Sequence, residues 1–275
     1  KVINMKDISS NKPLKIFIYI SLFVILAPMV IITLWAFTNQ WPWPNLLPTN
    51  YSLRGIKEIF APYGKVFPIL ISSITLSLTV ALLSAIIAIM TARAIVFYDF
   101  SGKELLDFIS MAPNLVPSTV FAMGIHVVLI RMSLANTPLG VIIVHLIYTL
   151  PYTINIMRNL TESIGVDMEH QAYVLGASPW KSFLYVSFPL LLPGIIASIT
   201  MAYILSFSQY FVTLLIGGGK VMTFSMIMVP FIAKGDRTLG SAYALVFVLS
   251  TLLVFAIINT LLKKFQKREE KSNWN

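Results

Sequence analysis

Apolar positions gather into six long runs, at 16–37, 66–92, 105–130, 139–157, 190–216 and 241–262, with short polar stretches between them. Each run is close to the ~20 residues a helix needs to cross a hydrocarbon core of ~30 Å. The pattern predicts an all-α, polytopic membrane protein with six transmembrane helices. The first run follows Lys12 and Lys15 and is too long for the apolar part of a cleaved signal peptide, so it is expected to remain as a helix. The organisation read from the runs is a segment 1–15, a membrane domain 16–262 and a basic tail 263–275. Within the domain lie polar stretches at 38–65, 158–189 and 217–240.

Composition agrees with that pattern and narrows the function classes. Hydrophobic residues make up 57% of the chain and charged residues 11%, too apolar for a soluble domain. The net charge of +9 would suggest nucleic acid in a soluble protein, but here topology accounts for it. An even number of spans puts both termini on one side, and 13 of the 20 Lys and Arg residues fall there, which predicts cytoplasmic termini. The chain has no cysteine, so thiol chemistry is absent. No phosphate-binding glycine loop, His-Glu-x-x-His or Gly-x-Ser-x-Gly pattern is present, so the chain does not read as an enzyme.

Between the fourth and fifth runs the chain turns polar yet keeps helix punctuation. Asp167 or a neighbour is placed to cap a short helix that carries Met168, Ala172 and Leu175 on one face. Gly176 suits the left-handed residue that ends such a helix, and Ser178 before Pro179 is the start signal of another. A surface helix covering the bundle satisfies the same pattern.

The spacing in this loop also resembles a signature of the permease subunits of binding-protein-dependent ABC importers. That signature runs Glu-Ala-Ala, three residues, Gly, nine residues, Ile, one residue, Leu-Pro. Here the register is His170, Gln171, Ala172, Gly176, Val186, Phe188 and Pro189. His170 stands where the family has its acidic residue, with Glu169 one position earlier, and Gln171 replaces the first alanine. The resemblance implies an ABC type I importer permease fold in which the loop 158–189 is a coupling helix seated in a cytoplasmic ATPase. Glu169, His170, Gln171, Ala172, Gly176, Ala177, Trp180 and Pro189 would then serve the coupling, with Tyr173, Leu175 and Trp180 as docking anchors.

The resemblance further implies an ATPase dimer carrying the ATP and Mg, a second permease subunit, identical or homologous, and an extracytoplasmic solute-binding protein. It places the chain in the cell membrane of a prokaryote, with no cofactor of its own and no nucleic-acid partner. The layout is similar to permeases of the polyamine, ferric-iron, phosphonate and thiamine group, and the maltose-type sugar permeases share it. Polyamine permeases often carry acidic residues in the fifth span where this chain has Ser208 and Gln209.

Polar residues inside the runs are the remaining candidates. The fifth span offers Ser206, Ser208, Gln209, Tyr210 and Thr213, of which Ser206, Gln209, Tyr210 and Thr213 recur every three or four residues and are expected to share a face, serving either interhelical hydrogen bonds or a solute pathway. His126 and His145 read as helix contacts rather than a metal site. Pro113 and Pro117 are expected to bend the third span, and 221–232 is too short to cross and predicts a re-entrant or interfacial piece. Trp41 to Pro44 suit a membrane interface. A transporter working alone on an ion gradient would need intramembrane charges, and the runs hold almost none.

Overall fold

The computed structural model describes residues 12–41, 44–61 and 65–272 and divides into two units: Lys1–Gly64 with Met228–Leu249, and Lys65–Ile227 with Ser250–Asn275. Helix α1 (Lys12–Ala36) buries only Ala36, as suits a helix whose side chains face lipid all round. Strands β1 (Thr38–Gln40) and β2 (Asn50–Tyr51) pair antiparallel after it, and α2 (Arg54–Ile59) follows. The Trp41 ring lies 5.0 Å from that of Trp35 and its Nε1–H donates to the Asn45 carbonyl at 2.8 Å. Pro42 and Trp43 of the expected interfacial cluster lie outside the described residues.

The second unit is built on α3 (Val66–Phe97), α6 (Pro138–Ile164) and α9 (Phe188–Ser208), which pack on one another. Helix α3 buries Ser73, Ser77, Ala81, Ser84, Ala85, Ala88 and Ala92, spaced so that they form one stripe of small residues. In lipid no hydrophobic force draws helices together, so close approach over small residues must supply the packing. Ser84 Oγ lies 3.0 Å from Thr149 Oγ1 and 3.1 Å from Thr153 Oγ1 across that seam. A Cβ at Gly194 would meet Leu160 Cδ2 at 2.6 Å, so α9 lies directly on α6 there.

Two of the six runs are not single helices. The run at 105–130 divides into α4 (Lys103–Met111), a 3₁₀ turn (Ala112–Asn114) and α5 (Ser118–Arg131), because Pro113 and Pro117 interrupt the helical ladder instead of merely bending it. The run at 190–216 divides into α9 and α10 (Phe211–Gly217). Among the described residues five helices are long and apolar enough to cross a membrane, and α5 is one of two shorter apolar helices. The short apolar piece expected near 221–232 is α11 (Phe224–Ala233). Helix α12 (Arg237–Ser272) begins in the first unit and ends in the second.

Candidate functional site

The polar loop folds into α7 (Asp167–Val174) and α8 (Pro179–Ser182), followed by a π-helical turn (Phe183–Ser187) that runs into α9. Gly176 has φ +87°, and the Gly176 and Ala177 amides donate to the carbonyls of Tyr173 and Ala172, both at 2.9 Å. These two bonds satisfy the orphan carbonyls at the end of α7 in the double arrangement that a left-handed glycine permits. Ser178 caps α8, accepting from the Lys181 amide at 3.4 Å, with Pro179 at the first helical position. The π turn is marked by the Phe188 amide bonding to the Phe183 carbonyl, and Pro189, which has no amide hydrogen, enters α9 one residue later.

The N-terminus of α7 differs from expectation. Val166 occupies the cap position without a side-chain bond, and Asp167 lies inside the helix, where its charge meets the positive end of the dipole. Nor is the apolar trio the buried face: Met168 and Leu175 are exposed and Ala172 is half-buried. The residue α7 turns inward is Glu169, only 5% exposed.

The Glu169 carboxylate receives donors from three elements. Arg93 on α3 binds it through both ends of its fork, Nη1 to Oε1 at 2.5 Å and Nη2 to Oε2 at 3.0 Å. Ser187 Oγ, in the π turn, donates to Oε1, and the Tyr173 hydroxyl donates to Oε2 at 3.3 Å. The guanidinium carbon also lies 5.1 Å from the Phe97 ring centroid and 5.0 Å from that of Phe183. Burial works against the Glu169 charge, but the bonds from Arg93 and Ser187, the Arg93 charge and the Tyr173 hydroxyl outweigh it and hold the carboxyl below its ordinary value. Charge-assisted, bidentate pairs of this kind fix geometry as well as adding energy. Sequence reading named Glu169 but missed Arg93 and Ser187, which are 76 residues away along the chain and at the far end of the loop.

His170 and Gln171, the motif's leading positions, are exposed. One residue along a helix is a turn of about 100°, so the anion one position early faces inward and the histidine does not. Val174 and Leu175 are each 88% exposed and Trp180 is 68% exposed, while Ala172 and Ala177 are half-buried and Gly176 is open. Tyr173, expected as an anchor, is the least exposed of the three and spends its hydroxyl on Glu169.

The second group of candidates lies at the gap between α9 and α10. Gln209 is extended, with φ −66° and ψ 116°, so the fifth span is broken and Ser206 and Thr213 stand on different helices instead of sharing a face of one. Both are buried against His145, which is fully buried: Nδ1 lies 2.9 Å from Ser206 Oγ and Nε2 lies 2.9 Å from Thr213 Oγ1. These two residues therefore join helices, whereas Ser208 is exposed and Gln209 and Tyr210 are half-buried at the break. The freed Gln209 carbonyl accepts from Thr213 Oγ1 at 3.0 Å and Ser225 Oγ at 2.7 Å. Irregular backbone at membrane depth persists only where such partners exist. His126 is half-buried on α5.

Comparison with known proteins gives these features a context. The family described as "Binding-protein-dependent transport system inner membrane component" matches residues 84–271, which include both candidate regions. A probable sulfate transport system permease of Marchantia polymorpha is 25% identical over 248 residues, covering 84% of this chain and 82% of that protein. A putative 2-aminoethylphosphonate transport system permease of Salmonella paratyphi A is 23% identical over 243 residues, covering 88% and 90%. Among solved structures, a chain of a bacterial ABC transporter involved in import of the acidic polysaccharide alginate aligns with a TM-score of 0.71 at 15% identity, over 94% of this chain and 99% of that one. At that identity the likeness establishes the fold.

Proposed function

The chain belongs to the family of inner membrane components of binding-protein-dependent transport systems, and from that membership we propose that it is the permease half of an ATP-driven importer of a small oxyanion. In this reading the loop 158–189 is the coupling element and faces a cytoplasmic ATPase dimer, both termini lie on that side, and 217–240 faces an external solute-binding protein. The observation that carries the assignment is α7: a helix closed at its C-terminus by two backbone bonds and pinned from behind by Arg93, with Val174 and Leu175 at its end and Trp180 on α8 exposed to solvent. Apolar side chains exposed beside a fixed helix are what a protein partner buries.

ATP hydrolysis belongs to the partner subunit, and a second permease, identical or homologous, completes the pathway. The cargo class rests on two supports. The relatives carry names of sulfate and 2-aminoethylphosphonate transport. The break presents hydroxyl and amide groups at Ser208, Gln209 and Tyr210, and no acidic residue occurs in the chain between Glu169 and Asp236. Hydroxyl and amide hydrogens can donate to an oxyanion, and this stretch offers no carboxylate to pair with a polyamine.

The test is purification of the chain with its co-expressed neighbours, followed by uptake in proteoliposomes. A stable ATPase partner is expected, with ATP-dependent uptake inhibited by excess sulfate or an alkylphosphonate and not by spermidine. Uptake driven by an ion gradient with no ATPase attached overturns the assignment. Inhibition by spermidine alone overturns the cargo class.

A further inference from the structure

Nothing in the local sequence Ser206–Gln209–Thr213 demands a helix break, since the stretch SFSQYFVT contains neither proline nor glycine. Its cause has to be sought in what surrounds it. His145 reaches Ser206 and Thr213 from its two ring nitrogens, 2.9 Å on each side. In an unbroken helix the seven steps from Ser206 to Thr213 would rise ~10.5 Å along the axis. Two nitrogens separated by a single ring carbon hold the two hydroxyls well inside that length, so the bridge forms only when α9 and α10 are separate helices. We infer that His145 is the positioning residue that sets the break in the fifth span, and through it the arrangement of Ser208, Gln209 and Tyr210 toward the solute. The second clause rests on the pathway reading above.

The hydrogen bonds around the ring form a continuous chain. Thr213 gives its hydroxyl proton to the Gln209 carbonyl at 3.0 Å and lies 2.9 Å from His145 Nε2. On the other side Ser206 lies 2.9 Å from Nδ1 and donates its hydroxyl proton to Ser77 Oγ at 3.3 Å. Four helices, α3, α6, α9 and α10, are joined by one imidazole, and the chain ends on the carbonyl that the break has freed. Ser225 at the start of α11 holds the same carbonyl from the other side, and the Phe224 amide donates to Ser73 Oγ at 2.8 Å. Among the described residues the Gln209 side-chain amide and the Tyr210 hydroxyl have no hydrogen-bond partner, so the restraint falls on the backbone while these two side chains stay available.

Because the chain has no cysteine, Ser208→Cys is a single reporter at the break. The experiment uses the assembled complex in proteoliposomes and follows labelling of that position by a small thiosulfonate reagent, with mass spectrometry separating this subunit from its partners. Thr213→Val keeps the side-chain shape and removes the hydroxyl, and His145→Gln removes the bridge. Each is expected to change the labelling rate about fivefold or more, the scale of one lost buried hydrogen bond. Without the reporter each is expected to raise the half-saturation of uptake more than it lowers the maximal rate. The double variant is expected to do little more than either single, since both cut one chain. Unchanged labelling in both variants, with the complex assembled, overturns the inference. Altered labelling together with unchanged half-saturation in Gln209→Ala and Tyr210→Phe supports the positioning by His145 and overturns the solute-site reading instead.

Discussion

The Glu169 carboxylate and the Arg93 guanidinium illustrate why a buried ion pair is kept where position matters more than stability. Replacing such a pair with apolar residues is often neutral, whereas removing one partner leaves a charge in a poor environment and costs about 3–5 kcal/mol. Arg93 is 18% exposed at its side chain and Glu169 7%, so Glu169→Gln is expected to loosen α7 and expose its amides. Hydrogen exchange of 167–177 measures this, and protection equal to that of the unsubstituted protein would show that the aromatic contacts to Arg93 suffice. The pH dependence has a definite sign. A carboxyl held below its ordinary value contributes fully above the usual carboxylate range, and that contribution is lost as pH falls through the lowered value. Exchange in this segment is therefore expected to rise on acidification below about pH 4, and in Glu169→Gln to start high and change little.

At the scale of the element, the helix pair in the polar loop 158–189 was legible because its punctuation is local. Gly176 and the Ser178–Pro179 pair act within a turn of their own positions, and the structure uses both as such caps. The backbone at Gly176 gives a graded test, since nothing lies within 4 Å of a Cβ built there and the conformation alone decides the outcome. Gly176→Val places a β-branched residue at φ +87° and is expected to cost about 1–3 kcal/mol, whereas Gly176→Asn, which tolerates the left-handed region, is expected to cost less. ATPase co-purification and solute-stimulated hydrolysis should fall in that order, and equal loss in both would point to a clash with the partner instead of backbone strain. The inward face of α7 was not legible, because Glu169 is chosen by Arg93 on another helix. The break at Gln209 was hidden for the same reason: its restraints come from His145 and Ser225, and the intervening residues read as continuous helix.

Across the whole molecule, these two sites of the second unit are joined by the helices α3 and α9. Arg93 and Ser77 lie on α3, 16 residues or about 24 Å apart, and Ser187 precedes α9, whose Ser206 lies about 28 Å further on. In the proposed reading, a displacement of α7 would reach the His145 cluster along two helices, one through Arg93 and the other through Ser187. For the break to respond, the two arrangements must differ in free energy when ATP is bound, because a ligand shifts only states it distinguishes. Arg93→Ala cuts one of the two routes without touching solute or nucleotide. Residues along such a connection typically alter coupling by ~0.5–2 kcal/mol, or roughly 2- to 30-fold. Solute moved per ATP in proteoliposomes is expected to fall within that range for Arg93→Ala and by less for Arg93→Lys, which keeps the charge and loses the fork. An unchanged ratio in an assembled Arg93→Ala complex would leave α9 as the sole transmitter, and Ser187→Ala would then carry the full loss.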